Sequence, residues 1–222
     1  MIVIFKKSLI YALVFLVLAS SFLCFFSIKN AKNVGNFYAL SIVIDAGHGG
    51  FDCGAIGINS KVYESDINLM IAKQLESELK KLSYKVILTR NTKGAVAETK
   101  NLDMRKRKEI IAEAKPDVVV SIHSNKWRNT SRRGAQVFFD DTNNGKNFAE
   151  HLQSIINIKC NQVYVGKTFS ALAGDYFITK CYKCPSVILE SGFLSNPQDD
   201  ALLNDAKYRS LLVDCIVTAL QA

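Results

Sequence analysis

Short apolar runs alternate along the chain with longer segments whose apolar residues recur at helical spacing, and this alternation constrains the fold more than any other feature. Ser41–Asp45 ("SIVID"), Lys85–Thr89 ("KVILT"), Asp117–Ile122 ("DVVVSI"), Ala135–Phe139 and Ser186–Leu189 read as strands. Asp66–Leu82 sets Ile67, Met70, Ile71, Leu75, Leu79 and Leu82 on one helical face. Leu102–Ala114 reads as a charge-rich helix that Pro116 ends, and Gly145–Asn157 and Lys207–Ala219 read as two more. The expectation is an α/β fold: an open, mostly parallel mixed sheet flanked by helices.

Ligands of such sheets gather beyond the carboxyl ends of the strands. Three of the apolar runs lead there into a residue able to bind a metal or move a proton: His48 in "DAGHGG", His123 in "SIHSN" and Glu190 in "VILESGF". The chain has three histidines, and the third, His151 in "FAEHLQ", reads as an exposed or partly packed helical residue. Two imidazoles and a carboxylate make a donor set suited to a catalytic Zn2+, with a fourth position for water. Glu64, just before the first amphipathic helix, is the candidate carboxylate, although an acid in a first helical turn is favoured there without any metal. Glu190 has two readings, a carboxylate bonded to neighbouring backbone or an acid with a partner in the site. An acid at the end of an apolar strand is costly unless partnered.

Hydrophobic residues make up 49% of the 222-residue chain, enough for a core, and charged residues 22%, which excludes a disordered polymer. Part of the apolar fraction is concentrated in Ser8–Ile28, 21 residues without a charge behind Lys6 and Lys7. A helix of that length spans a bilayer of about 30 Å. Residues 1–28 therefore read as a signal anchor or a signal peptide. The uncleaved anchor is favoured, because the run exceeds the usual signal-peptide apolar region of about 7–15 residues. Residues 29–40 read as a linker and 41–222 as the folded domain, delivered outside the membrane.

The net charge is +8, with Lys6 and Lys7 contributing two of it. On an exported domain that charge fits either a solvated basic surface or attraction to an acidic wall polymer or anionic lipid, and no nucleic acid partner is expected. Of six cysteines, Cys181 and Cys184 form the only close pair, without a second pair for a four-cysteine zinc site. A disulfide and free thiols both remain open there.

"VIDAGHGGFDCGAIG", the glutamate of "YESDINL", "SIHSN" and "VILESGFLSN" follow one another in the order found in zinc-dependent N-acetylmuramoyl-L-alanine amidases of the Amidase_3 type. The chain resembles that family from about Ser41 to its end, and within it the CwlD-type sporulation and germination amidases of spore cortex. The resemblance implies that His48, Glu64 and His123 are zinc ligands and that Glu190 is the catalytic carboxylate. It implies peptidoglycan as substrate, cut between the lactyl group of N-acetylmuramic acid and L-alanine, and the Amidase_3 fold already expected. One departure is Cys53, in "DCGA" where relatives commonly have "DPGA"; it is either a thiol that affects the metal or a tolerated loop substitution.

Asp45 and Asn125 are candidates to orient the imidazoles, or to serve structure at the strand ends. Lys126, Arg128, Arg132 and Arg133 would hold substrate carboxylates or form a solvated loop; Arg90 and Arg105 would order the core or meet substrate. A wall hydrolase active everywhere would endanger its own cell, so an activating accessory protein is expected. The site of action is the outer face of the cytoplasmic membrane, or the forespore and cortex space. Two rivals share these features: a zinc peptidase acting within the stem peptide, and a membrane-tethered peptidoglycan-binding protein without turnover.

Overall fold

The structure is a computed structural model that describes residues 40–221. The expected anchor and residues 29–39 of the expected linker lie outside the described residues. Among those described, no helix is long and apolar enough to cross a membrane.

The elements alternate much as the sequence implies. Strands β1 (Ser41–Ala46), β2 (Lys85–Leu88), β3 (Val118–Asn125), β4 (Gln136–Phe139), β5 (Leu172–Ala173) and β6 (Ser186–Phe193) form one sheet in the order β2-β1-β3-β6-β4-β5. β2, β1, β3 and β6 run parallel, and β4 pairs antiparallel with β6. The longer helices are α1 (Glu64–Lys81), α2 (Lys100–Ala114), α3 (Gly145–Ile156), α4 (Pro197–Asn204) and α5 (Ala206–Leu220). α1 buries Ile67, Ile71, Leu75 and Leu79, one residue per turn at a spacing of four, against the sheet. Its first turn holds the acids Glu64 and Asp66 and its last turn Lys80 and Lys81, which matches the helix dipole at both ends. α2 is capped by the Thr99 hydroxyl and ends at Lys115, which turns left-handed (φ 47°) ahead of Pro116.

Two apolar layers close the sheet. On one face α1, α3 and α5 cover Ile42, Ile44, Val120, Ile122 and Leu189; on the other, α2 and the turn at Ile178–Lys180 cover Val43, Val119 and Ile188. Each of the fully buried aliphatic side chains contributes roughly 1.5–3 kcal/mol.

Two boundaries differ from expectation in a way that matters for the site. β3 was expected to stop at Ile122 and β6 at Leu189, but both continue, so His123 and Glu190 are paired neighbours inside the sheet. The register shifts between His123 and Asn125, and pairing resumes at Asn125 with Phe193. Polar residues stay in these strands because β3 and β6 pair with each other past the ends of their other neighbours, which outweighs their weak strand preference. Cys181 and Cys184 are free and buried, so the open question there resolves to thiols. The thiols in contact are instead Cys160 and Cys215, with sulfurs 3.8 Å apart.

Candidate metal centre

β1 delivers the chain into Gly47-His48-Gly49-Gly50, where three successive residues take positive φ: 62° at His48, 137° at Gly49 and 58° at Gly50. For histidine this left-handed backbone costs about 1–2 kcal/mol, a strain that the surroundings must hold in place. They do so through carbonyl oxygens. Arg107 donates to Ala46 O (2.8 Å) and His48 O (2.7 Å), and Arg90 donates to Ala46 O (2.8 Å), Gly47 O (2.9 Å) and Ser65 O (2.8 Å). Gly47 is required for a different reason, since a Cβ there would overlap the His123 ring.

On that loop His48 turns Nε2 to within 3.1 Å of Glu64 Oε1, and His123 brings Nδ1 within 3.0 Å of the same oxygen. The two rings sit edge to face with centroids 5.0 Å apart. Glu64 is the first residue of α1 and is buried; its Oε2 accepts from Ala55 N (2.8 Å), and its Oε1 from Ser124 N (3.1 Å) and Asn68 Nδ2 (3.3 Å). The side chain is thus aimed by five polar partners before any ligand enters. Burial works to raise the Glu64 pKa, but the bonds and charges of His123 and His48 outweigh it and hold the carboxyl well below the usual range. The converse holds at His48: burial lowers its pKa, and Glu64 with Asp52 pushes it up to about 9.

Among the described residues, His48, Glu64 and His123 form the one group of three or more such side chains able to hold a metal ion, with donor atoms all within 4.8 Å of one another. Tetrahedral coordination at about 2.0–2.1 Å sets neighbouring donors about 3.3 Å apart, close to the nitrogen–oxygen spacings found here. Two imidazoles and a carboxylate also match zinc in chemical type. The residues present fit the ion.

Asp52 places Oδ2 3.0 Å from His48 Nδ1. An acid on the second ring nitrogen fixes which nitrogen faces the metal and makes it more basic. Sequence reading overlooked Asp52, and the residues it proposed for this duty serve elsewhere. Asp45 is buried and accepts from Thr89 Oγ1 (2.6 Å), Arg107 Nη1 (2.7 Å) and Ser121 Oγ (2.7 Å), so it anchors Arg107 rather than an imidazole. Asn125 accepts from the amide of Lys126. Arg107, also overlooked, joins Asp45, Asp103 and the His48 carbonyl.

Glu190 lines a cleft of about 300 Å³ together with His48 and His123, walled by Phe51, Met104 and Phe177 and with Lys100 at its edge. Its buried Oε2 has no hydrogen-bond partner among the described residues, so of its two readings the backbone-bonded carboxylate is not seen at that atom. Burial pushes its pKa up to about 7; the imidazoles of His123 and His48 pull the other way, and Glu64 adds to the rise.

The remaining candidates separate cleanly. Arg90 orders the loop from within, while Arg105 is exposed on α2. Arg133 is engaged by Asp199, Gln198 and the Tyr164 carbonyl, whereas Lys126, Arg128 and Arg132 are exposed. Cys53 directs its thiol at Gly54 O (3.4 Å) and is outside the donor group, and His151 is exposed on α3.

A mostly parallel sheet with two histidines and a glutamate gathered at its carboxyl edge, and a further buried acid beside them, defines an α/β protein equipped for metal-assisted chemistry. The chain belongs to the Amidase_3 family, described as N-acetylmuramoyl-L-alanine amidase, whose model matches residues 42–222. It is 29% identical over 179 residues to the N-acetylmuramoyl-L-alanine amidase LytC of Bacillus subtilis (strain 168), covering 79% of this chain and 34% of that protein. It is 30% identical over 185 residues to the germination-specific N-acetylmuramoyl-L-alanine amidase of the same organism, covering 79% and 76%. The chain thus spans about a third of LytC and about three quarters of the germination-specific protein. The CwlD amidase of Clostridioides difficile, solved in complex with the GerS lipoprotein, superposes with a TM-score of 0.76 at 30% identity, over 82% of this chain and 96% of that one.

Proposed function

We propose that this protein is an exported N-acetylmuramoyl-L-alanine amidase. It hydrolyses the amide between the lactyl carbonyl of N-acetylmuramic acid and the L-alanine of the stem peptide, with spore cortex as the peptidoglycan it acts on. The observation that carries this reading is the meeting of His48, Glu64 and His123 in one cluster, with Glu190 on the wall of the same cleft.

His48 Nε2, Glu64 Oε1 and His123 Nδ1 would hold Zn2+, which when bound polarises a carbonyl and lowers the pKa of water toward about 7. Glu190 performs the proton transfers. Its carboxylate takes a proton from the attacking water and delivers it to the departing alanine nitrogen. A carboxyl poised near neutrality is suited to both halves of that task. The unpartnered Oε2 is available to receive the proton without first breaking another bond. Asp52 and Arg107 keep the His48 ring and its loop in position, and the apolar walls of the cleft limit water around the scissile bond.

Residues 1–28 act as anchor or signal, 29–40 as linker, and 41–222 as the catalytic domain on the outer face of the cytoplasmic membrane or in the cortex space. The cortex assignment draws on similarity to the germination-specific amidase, and an accessory protein on similarity to an amidase found in complex with a lipoprotein.

Digestion of purified peptidoglycan, followed by mass spectrometry, tests the reading. Intact stem peptides beginning at L-alanine are expected, with a loss of at least about 100-fold in Glu190→Gln. Shortened stem peptides would point instead to a peptidase, and binding without release to a wall-binding protein; either result overturns the proposal. Faster release from cortex than from vegetative wall is expected for the substrate assignment.

A further inference from the structure

The segment 126–132 leaves the end of β3 directly after the His123 strand and carries Lys126, Arg128 and Arg132 without a single acid. It also carries Trp127, the only tryptophan of the chain, which is 51% exposed. The Arg132 guanidinium lies over this indole, 4.6 Å from its centroid, and 5.5 Å from the centroid of Phe193 on β6. Arg132 makes no side-chain hydrogen bond among the described residues, so its donors remain available. An exposed tryptophan alone would signify little.

This one is held in a prepared setting. Trp127 donates its amide to Ser195 Oγ (2.9 Å), Asn196 Nδ2 donates to Thr130 O (2.7 Å), and Asn129 Oδ1 closes a local turn onto Ser131. The loop is therefore tied at two points to the turn that follows the Glu190 strand, and its order is established before a ligand arrives. Trp127 follows His123 by four positions, so their backbones lie at most about 14 Å apart.

We propose that the Trp127–Arg132 stack seats a hexosamine ring of the glycan strand next to the residue whose stem peptide enters the cleft. The indole offers a negative face to the positively polarised C–H bonds of the sugar ring. Arg132 fixes the indole and presents donors to acetamido or lactyl oxygens, and Lys126 and Arg128 attract the carboxylates of the stem peptides. The identity of the polymer rests on the amidase reading; the seat itself does not depend on turnover.

The single tryptophan makes the seat directly observable, because intrinsic tryptophan emission of the described domain reports on Trp127 alone. The Glu190→Gln protein is titrated with a tetrasaccharide of alternating N-acetylglucosamine and N-acetylmuramic acid that carries stem peptides, and separately with the free stem peptide. A saturable emission change with the glycan and none with the peptide is expected. Trp127→Ala, checked for an unchanged melting temperature, should co-sediment with insoluble peptidoglycan roughly tenfold more weakly, and Trp127→Phe should recover part of the loss. In the otherwise unaltered enzyme, Trp127→Ala should raise KM at constant kcat. An unresponsive emission, an equal response to free peptide, or wild-type sedimentation of Trp127→Ala would overturn the seat. Hydrolysis without an emission response leaves the amidase reading standing and removes the seat; an emission response without stem-peptide release does the reverse.

Discussion

Arg107 and His48 are joined by one 2.7 Å hydrogen bond from the guanidinium to the histidine's carbonyl oxygen, and through it a buried charge network controls a strained backbone. The same guanidinium holds Asp45 and Asp103 and donates to Ala46 O, so it ties the loop that carries His48 to β1 and α2. Truncation to alanine would leave two buried carboxylates without their cation. Arg107→Ala is expected to lose about 3–5 kcal/mol of stability, measured by denaturant unfolding. Arg107→Lys should fold and yet bind metal more weakly, because a point charge cannot replace the fork that reaches Ala46, His48 and Asp103 together. Zinc affinity of Arg107→Lys equal to wild type would contradict this role.

Asp52 supports His48 from the solvent side of the loop. Removing it should leave the fold intact, since the side chain is partly exposed, while the imidazole loses its orienting acceptor. Asp52→Ala is expected to weaken zinc binding about 10- to 100-fold in a chelator competition, with little change in the metal-free melting temperature.

Gly47→Ala places a methyl group where the His123 ring lies, and no rearrangement of a strand residue relieves the overlap cheaply. Loss of metal binding and a drop of roughly 1–3 kcal/mol in stability are expected together. A variant that retained stoichiometric zinc would show that the ring has another place to go.

Glu190 should cost the metal-free protein stability, and the sign can be worked through. Burial pushes its carboxyl up to about 7 in the folded chain, from an ordinary value of 4.5. Below 4.5 both folded and unfolded chains hold the proton. As pH rises, the unfolded chain releases it first, and the stability tied to the protonated form is lost until pH passes about 7. The loss is roughly 3 kcal/mol. Metal-free Glu190→Gln should therefore melt roughly 6–12 °C above wild type at pH 8 and converge with it near pH 4, by calorimetry at both values. A constant offset at both pH values would assign the difference to packing.

Much of the site was legible because its residues stand out by type and setting. His48 and His123 sit among small neighbours where apolar runs give out, and Glu190 follows an apolar run directly. Asp52 was not legible in this way. Nothing distinguishes it from other loop acids until the left-handed turn at residues 48–50 brings it back onto the His48 ring. Arg107 lies among Arg105, Lys106 and Lys108, and only packing of α2 on the sheet decides which of the four points inward. The extension of β3 and β6 also escaped, because "SN" and "SG" look like turns until the two strands pair with each other. β5 has two residues and no pattern to read, and α4, with its Asn196 cap followed by Pro197, carried a start signal that went unused.

The bare backbone at Gly49 and Gly50 reaches beyond the histidine it carries. A Cβ on Gly49 would strike Gly94 O, and one on Gly50 would strike Ala95 N, while Gly50 N bonds Lys93 O (2.8 Å). The surface segment 93–95 is thus seated against the same peptide units that aim the first donor. Insertions or grafts in that segment, although distant in sequence from every metal-binding side chain, would alter metal affinity, and an engineer who wants to reshape the cleft mouth should leave those three residues untouched.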